Sequence, residues 1–463
     1  MRIVLDLQAC QSDSRFRGIG RYTLSLAHAM VAELLDRDHK IIIALSRAFP
    51  DEAAQVRTSF EDRFSGLEYF EFSILEPSAA KKEGNDWRQM ASRLQRERGI
   101  ANLEPDMVHV STLMADGWED DAVASVGLLG VHIPTALTHY DLIPLVMSDI
   151  YMPGESRFKS YYYEKLKNVR RADLLLAISN YSRAEAILCL EKEDDAVVNI
   201  SSAVNDDFSG TVSNQRSAEC TLYKYSIPRD FLLYAPGGFD PRKNLDGLLE
   251  AYSMLSFDVR SQYKLVISSK LPEGLREGLV WKAQTFGIGS DELIITDYIP
   301  DNELADLYRL CRAYVFPSLH EGFGLPVLEA MSFGAVVIAS NCTSIPEAHG
   351  FEGALFNPKD PSDMAAKILA ALTDEVFRAR LQAHASIQVA KFSWEKSAKT
   401  AVDAMESLYC KLNSSGWRPI SSTALPSEAM MLDILSSLKL DASPDLTDLE
   451  RFHACYKSNT RRM

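Results

Sequence analysis

The stretch Ser318-Leu319-His320-Glu321-Gly322-Phe323-Gly324-Leu325-Pro326-Val327-Leu328-Glu329-Ala330-Met331 organises the reading of this 463-residue chain. Just upstream, Ala313-Tyr314-Val315-Phe316 is a short apolar run of the kind that forms a buried strand. Gly322 and Gly324 mark a tight loop, and Leu325 to Phe333 has helical spacing with Pro326 in the first turn. A strand, a glycine loop and a helix in series leave backbone N–H groups bare at the helix N-terminus, where the dipole favours negative charge and glycines let a ligand approach the main chain. Glu321 lies on the loop and Glu329 about one turn inside the helix, so both can face one pocket. Carboxylates accept well from hydroxyls and are poor partners for phosphate. The stretch therefore suits a ligand that carries both a phosphate and a sugar.

A second motif supplies the charge that phosphate needs. In Ala235-Pro236-Gly237-Gly238-Phe239-Asp240-Pro241-Arg242-Lys243-Asn244-Leu245 a strand is followed by two glycines, two fixed cations and a helix start. Adjacent cations stabilise the charge that develops on a departing diphosphate. An Arg-Lys pair alone is usually a solvated helix start, and two acids at this spacing alone are usually solvated too. The order strand, Gly-Gly, Arg-Lys-Asn, then Glu-x7-Glu makes the combination specific.

Together these residues resemble retaining glycosyltransferase family 4. The resemblance implies an α/β fold of the GT-B kind, two Rossmann-like doubly wound domains facing across a cleft. It further implies that Glu321 and the amides of Gly322, Phe323 and Gly324 hold the transferred sugar, with Leu325 also in the substrate site, that Glu329 holds the ribose, and that Arg242 and Lys243 grip the diphosphate. Some members carry a further Arg where Gly238 stands here, which puts more of that work on the remaining pair. The loop Asp297-Tyr298-Ile299-Pro300 falls where the family seats the nucleobase, mainly through backbone groups, so Tyr298 and Ile299 line that seat without naming the base.

The first half alternates strand and helix candidates, with apolar runs at Arg2 to Leu7, Ile41 to Leu45, Met107 to Ser111 and Val131 to Leu137, as a parallel doubly wound sheet requires. Arg17-Gly18-Ile19-Gly20-Arg21-Tyr22 lies in the first connection. A dinucleotide fingerprint needs a third glycine where Thr23 stands, and the loop from Leu7 is too long, so a Rossmann cofactor is rejected. By resemblance this loop approaches donor phosphate and acceptor, with Gly20 as the contact. In Thr138-His139-Tyr140-Asp141-Leu142-Ile143-Pro144 the family places a histidine just before Asp-Leu-Ile-Pro, near the transferred sugar. Tyr140 intervenes here, so either His139 or Tyr140 occupies that place, and a one-residue offset reverses facing on a strand.

Ser156 to Arg171 interleaves six basic residues with Phe158, Tyr161, Tyr162 and Tyr163. It reads as a solvated helix face, or as a surface for anionic lipid headgroups or a lipid-linked acceptor, a peripheral contact with an inner membrane surface. Length asks for two domains. Their expected extents are 1–208 for the acceptor side, 209–395 for the nucleotide-sugar side, 396–415 for a helix returning to the first domain, and 416–463 for a tail or linker toward another module or partner. Residues Ser209 to Ser226 read as a polar linker.

Composition narrows the function classes. Hydrophobic content of 46% and charged content of 24% are those of a globular protein. No apolar run of about 18 residues appears, and Met1 to Asp6 reads as a first strand rather than a signal peptide. The seven scattered cysteines fit a reducing cytosol and no structural zinc, and a net charge of −15 argues against nucleic-acid binding. Asp36-Arg37-Asp38 mimics a metal-binding D-x-D but sits at a predicted helix end away from the motifs, so no metal and no cofactor are expected; a nucleoside diphosphate sugar enters as substrate. The expected function is a cytoplasmic, metal-independent retaining hexosyltransferase acting on a glycan or lipid-linked acceptor. Mannose from GDP-mannose is the first choice, because the Leu7 to Tyr22 opening and the Gly237 to Asn244 string resemble mannosyltransferases of O-antigen, that is lipopolysaccharide, assembly. The competing readings are a GT-B phosphorylase or sucrose-synthase-like enzyme, and a non-catalytic nucleotide-sugar-binding scaffold.

Overall fold

The computed structural model describes residues 1–463 except 115, 205–214, 270, 272, 273, 439, 441, 442 and 461–463. It divides into two compact units, one of Met1–Ile178, Arg183–Ile200 and Trp394–Met463, the other of Ser179–Ser182 and Ser201–Ser393. The expected junction at 208/209 lies outside the described residues. The chain leaves the second unit between Ser393 and Trp394, two residues before the expected place.

The first unit is built on seven parallel strands, β1 (Arg2–Asp6), β2 (Lys40–Ser46), β3 (Glu68–Phe72), β4 (Met107–Val110), β5 (Thr135–His139), β6 (Leu174–Ala177) and β7 (Val197–Asn199), in the order β3-β2-β1-β4-β5-β6-β7. Ile41 to Leu45 are buried without a break, because helices cover both faces and no strand face is left to water. The order reverses direction between β1 and β4, which makes that gap the switch point of the sheet. Helix Gly18–Asp36 packs along helix Trp394–Ser414, with Tyr22 edge-on to Trp394 at 4.9 Å and Arg37 bridged to Asp403 and Glu406.

Residues 416–463 differ from the expected tail. Helices Glu428–Ser437 and Leu446–Thr460 place Met431, Leu435, Phe452 and Cys455 in one core cluster with Trp87, Ala91 and Leu94 of helix Asp86–Ala101. That helix reads as polar, yet Arg93, Gln95, Arg96 and Glu97 are all buried. Several of the helix's polar ends are used internally: Arg96 pairs with Asp6, Arg93 with Glu164, Gln95 donates to the Phe452 carbonyl at 3.1 Å and Arg98 to the Pro426 carbonyl at 3.0 Å. Asn459 ties the last helix to the sheet edge, accepting from the Ser73 amide and donating to its carbonyl. The segment is thus part of the core of the first unit. Phe452→Ala is expected to cost about 3–5 kcal/mol of unfolding free energy, to be read by chemical denaturation; a loss under about 0.5 kcal/mol, the scale of surface changes, would contradict the packing.

The second unit carries six parallel strands, β8 (Phe231–Tyr234), β9 (Lys264–Ser268), β10 (Leu293–Thr296), β11 (Ala313–Phe316), β12 (Val337–Ser340) and β13 (Leu355–Phe356), in the order β10-β9-β8-β11-β12-β13. Its switch point lies between β8 and β11, which pair in parallel with Ala313 opposite Leu232 and Tyr314 opposite Leu233. Gln215–Lys224 is a helix rather than linker: Ala218 and Leu222 are buried, and Thr221 donates to Asp306 at 2.8 Å. Among the described residues no helix is long and apolar enough to cross a membrane.

Candidate active site

Two distant motifs meet because their strands are neighbours. Past the end of β8 the chain makes the Gly237-Gly238 bend, with Gly237 at φ +75°, and then a 3-10 turn, Pro241–Lys243, capped by the Asp240 carboxylate on the Arg242 amide. Past the end of β11 comes Pro317 to Gly324, then helix Leu325–Ser332. The two connections are sewn together by Asn244, whose left-handed backbone (φ +57°) lets its side chain reach the Pro317 and Pro358 carbonyls, and by the Leu319 amide on the Arg242 carbonyl at 2.7 Å. Tyr234 and Tyr314 brace the same loops, donating to the Lys243 and Ala235 carbonyls.

Glu321 is thereby set between both cations. Lys243 Nζ lies 2.6 Å from one carboxylate oxygen and Arg242 Nη1 2.8 Å from the other, while the same guanidinium donates to the His320 carbonyl at 2.8 Å. Burial pushes the Glu321 carboxyl up, but Lys243 and Arg242 outweigh it and hold the group at about 2. Burial also lowers the Lys243 ammonium, against the pull of Glu321 and with repulsion from Arg242. The two cations closest to Glu321 both favour its charged form, so ionised Glu321 is the fixed point of the cluster. Arg242 also lies 3.8 Å from the Asp240 carboxylate, so two carboxylates balance the two cations, and the cluster offers an incoming diphosphate two fixed cationic donors.

Beside this cluster the amides of Gly322, Phe323, Gly324 and Leu325 donate to no acceptor among the described residues. They precede the first complete turn of helix Leu325–Ser332, where N–H groups have no intrahelical partner. Gly324 sits at φ +100°, a backbone that residues with a side chain rarely adopt. Phe323 is buried against Phe392, ring centres 5.5 Å apart. Glu329 is half-buried one turn into the helix. Four bare donors, two cations and a fixed carboxylate can hold an anion and hydroxyls together. Gly238 has open space around its α-carbon, so room exists where some family members carry an arginine. Tyr298 is exposed and Ile299 buried just past β10, two strands away from β8.

His139 and Gly20 belong to the first unit. His139 ends β5 and lines a cavity of about 140 Å³ together with Tyr140, Asp141, Ile19, Met114 and Tyr162. The one-residue offset does not separate His139 from Tyr140, since both line this cavity. They differ in what their polar atoms do: the Tyr140 hydroxyl bonds Thr23 at 2.9 Å, whereas buried His139 Nε2 has no partner among the described residues. Burial lowers the imidazole to about 4, so it is neutral at physiological pH. At Gly20 a β-carbon would stand 2.3 Å from Arg15 Cα, so packing alone demands glycine there. Of the basic residues between 156 and 171, Lys165 is buried and donates to the Ala124 carbonyl, Arg157 pairs with Asp86 and Lys159 with Glu155. Lys167, Arg170 and Arg171 remain at the surface.

Residues 225–388 match the family described as glycosyl transferases group 1. The second unit belongs to that family. The chain is 37% identical over 409 residues to the serotype-specific mannosyltransferase WbdA of Escherichia coli, covering 88% of this chain and 48% of the relative. It is 35% identical over 252 residues to O-antigen chain mannosyltransferase B of Escherichia coli, covering 53% and 64%. The chain spans about half the length of the WbdA relatives it matches. Among solved structures, HepE of Anabaena in complex with UDP-glucose superposes with a TM-score of 0.62 at 16% identity, over 88% of this chain and 100% of that one. The fold is GT-B, with two Rossmann-like units. In this glycosyl transferase unit, hydroxyl residues around the glycine loop carry contacts that spacing did not reveal: Ser179, Ser182, Thr343 and Ser344 all bond the Glu321-Gly322 backbone. The only signal available was the Ser-x-x-Ser spacing before a helix.

Proposed function

We propose that this chain is a retaining mannosyltransferase that moves mannose from GDP-mannose to a glycan or lipid-linked acceptor in surface polysaccharide synthesis, without a metal ion. The observation that carries the reading is the buried Glu321 held by Lys243 and Arg242 beside four bare amides. The mannose half rests on similarity to WbdA and to O-antigen chain mannosyltransferase B. Arg242 and Lys243 take the diphosphate, the amides of Gly322 to Leu325 and the Glu321 carboxylate take the sugar, and Glu329 takes the ribose. His139, neutral and with Nε2 unsatisfied, serves the acceptor.

The bond between the anomeric carbon and the phosphate oxygen breaks, and the acceptor oxygen bonds that carbon from the same face. The acceptor proton passes to the departing phosphate oxygen. The charge left on the diphosphate is stabilised by the two cations, and no protein nucleophile is needed. Lys167, Arg170 and Arg171, with exposed Ile150 and Tyr163 nearby in sequence, supply the mixed basic and apolar character that anionic lipid surfaces attract.

The test is incubation of the full chain with GDP-mannose, an oligomannoside acceptor and EDTA. Expected is a mannosylated product with the anomeric configuration of the donor, resolved by NMR, at a rate that EDTA leaves unchanged. Inverted product, phosphorolysis in place of transfer, or loss of activity on chelation overturns the corresponding part.

A further inference from the structure

The soft element of the donor site is its loop, since glycines leave the backbone free to turn. Two peptide units of that loop are nevertheless fixed from outside. Ser179 Oγ and Ser182 Oγ both donate to the Gly322 carbonyl, at 2.6 and 2.9 Å. Ser344 Oγ donates to the Glu321 carbonyl at 2.8 Å, and the Glu321 amide donates to Thr343 Oγ1 at 3.2 Å. Ser179, Ser182 and Ser344 are completely buried. The segments that supply them are tied to each other, because the Asn180 amide donates to the Glu347 carboxylate at 2.8 Å. Thr343 holds φ +53°, a left-handed backbone that a β-branched residue adopts only under constraint.

A peptide unit is planar, so its carbonyl and the following N–H point in opposite directions within one plane. Fixing the Gly322 carbonyl therefore fixes the Phe323 N–H, and fixing the Glu321 carbonyl fixes the Gly322 N–H. Those are two of the four bare donors. We infer that Ser179, Ser182 and Ser344 are positioning residues that aim the Phe323 and Gly322 amides at the donor sugar by holding the opposite ends of the same peptide planes, while Thr343 fixes the adjoining His320-Glu321 peptide. The inference rests on the donor-site reading above and adds residues that touch neither donor nor acceptor. Its direct consequence is a split between sugar and nucleotide. The serine hydroxyls govern amides that meet the sugar, while the two cations that meet the diphosphate are held by Asp240, Glu321 and the His320 carbonyl.

The experiment compares the full unaltered chain with the double variant Ser179→Ala/Ser182→Ala and, separately, with Ser344→Ala. Each is measured for transfer from GDP-mannose, for GDP affinity by calorimetry and for thermal melting. Displacing reacting groups by about 1 Å costs on the order of a hundredfold in rate. Expected for the double variant is a fall in kcat/KM of roughly ten- to a hundredfold with GDP affinity within about threefold. Ser344→Ala, acting on the neighbouring peptide unit, is expected to show the same split and stands in if the double variant does not fold. Unchanged kcat/KM in a folded variant, or parallel losses of GDP binding and transfer that follow the melting temperature, overturns the positioning role. If the unaltered chain binds neither GDP nor GDP-mannose, the donor reading itself falls and the positioning role falls with it.

Discussion

Lys243→Ala is expected to reduce transfer by at least about a hundred- to a thousandfold, the scale seen when one preorganised donor to a developing oxyanion is removed. Lys243 is buried, and its ammonium is 2.6 Å from Glu321. It cannot be replaced by water or by a neighbouring side chain without reorganising the loop. Its removal also leaves Glu321 with Arg242 as its single side-chain cation in the cluster. Breaking a buried pair from one side costs about 3–5 kcal/mol, because the remaining charge stays desolvated. Two effects are thus superimposed, and Lys243→Met separates them. Methionine refills the space of the stem, so melting recovers in part while transfer stays lost. Transfer within tenfold of the unaltered chain in either variant would sink the assignment of Lys243 to the diphosphate.

For Glu321→Gln the expected result is a loss of transfer of similar size with a different signature in pH. The carboxyl stands at about 2, against an ordinary 4.5, because the attraction of Lys243 and Arg242 exceeds the penalty of burial. A lowered carboxyl stabilises the fold most where it is ionised in both states. That contribution, about 3 kcal/mol in scale, is complete above about 4.5 and disappears as pH falls toward 2. Glutamine has no charge to lose, and it leaves two cations side by side. The variant should therefore be less stable than the unaltered chain at pH 7 and lose less further stability between pH 4.5 and 2. Denaturation midpoints across that range decide it. Parallel pH curves for the two proteins would show that the carboxylate is not the titrating partner of the cation pair.

Both expectations were readable from residue order to a surprising depth, and the reason is topological. In a doubly wound sheet, ligands bind where the strand order reverses, and the connections after the two strands flanking that point must carry the chemistry. Apolar runs locate β8 and β11, and the glycines and charged residues that follow them are short-range signals. The pairing of Arg242 and Lys243 with Glu321 then follows from β8 and β11 being neighbours. What residue order left open was which carboxylate the cations would meet. Glu321 is brought to both of them, while Glu329 lies a turn into the helix.

Elsewhere polarity is a poor guide to burial. Helix Asp86–Ala101 carries arginine, glutamine and glutamate at nearly every turn, which by pattern is a solvated helix. It is buried because helices Glu428–Ser437 and Leu446–Thr460 cover it and its charged ends find carbonyls and carboxylates inside. For the same reason residues 416–463 read as a tail: each of their helices is short and only weakly periodic, and the face it buries is defined by a partner more than 300 positions away in the chain.

By itself, then, the amino-acid order determined the two parallel sheets and the chemistry of the glycine loop with its cations, since these depend on periodicity and on residues close together in the chain. The tertiary structure alone decided that Ser179, Ser182, Thr343 and Ser344 hold that loop, and that the final helices complete the first core. Those contacts join segments whose separation along the chain carries no spacing signal, and a hydroxyl or an arginine reveals its partner only once both are in place.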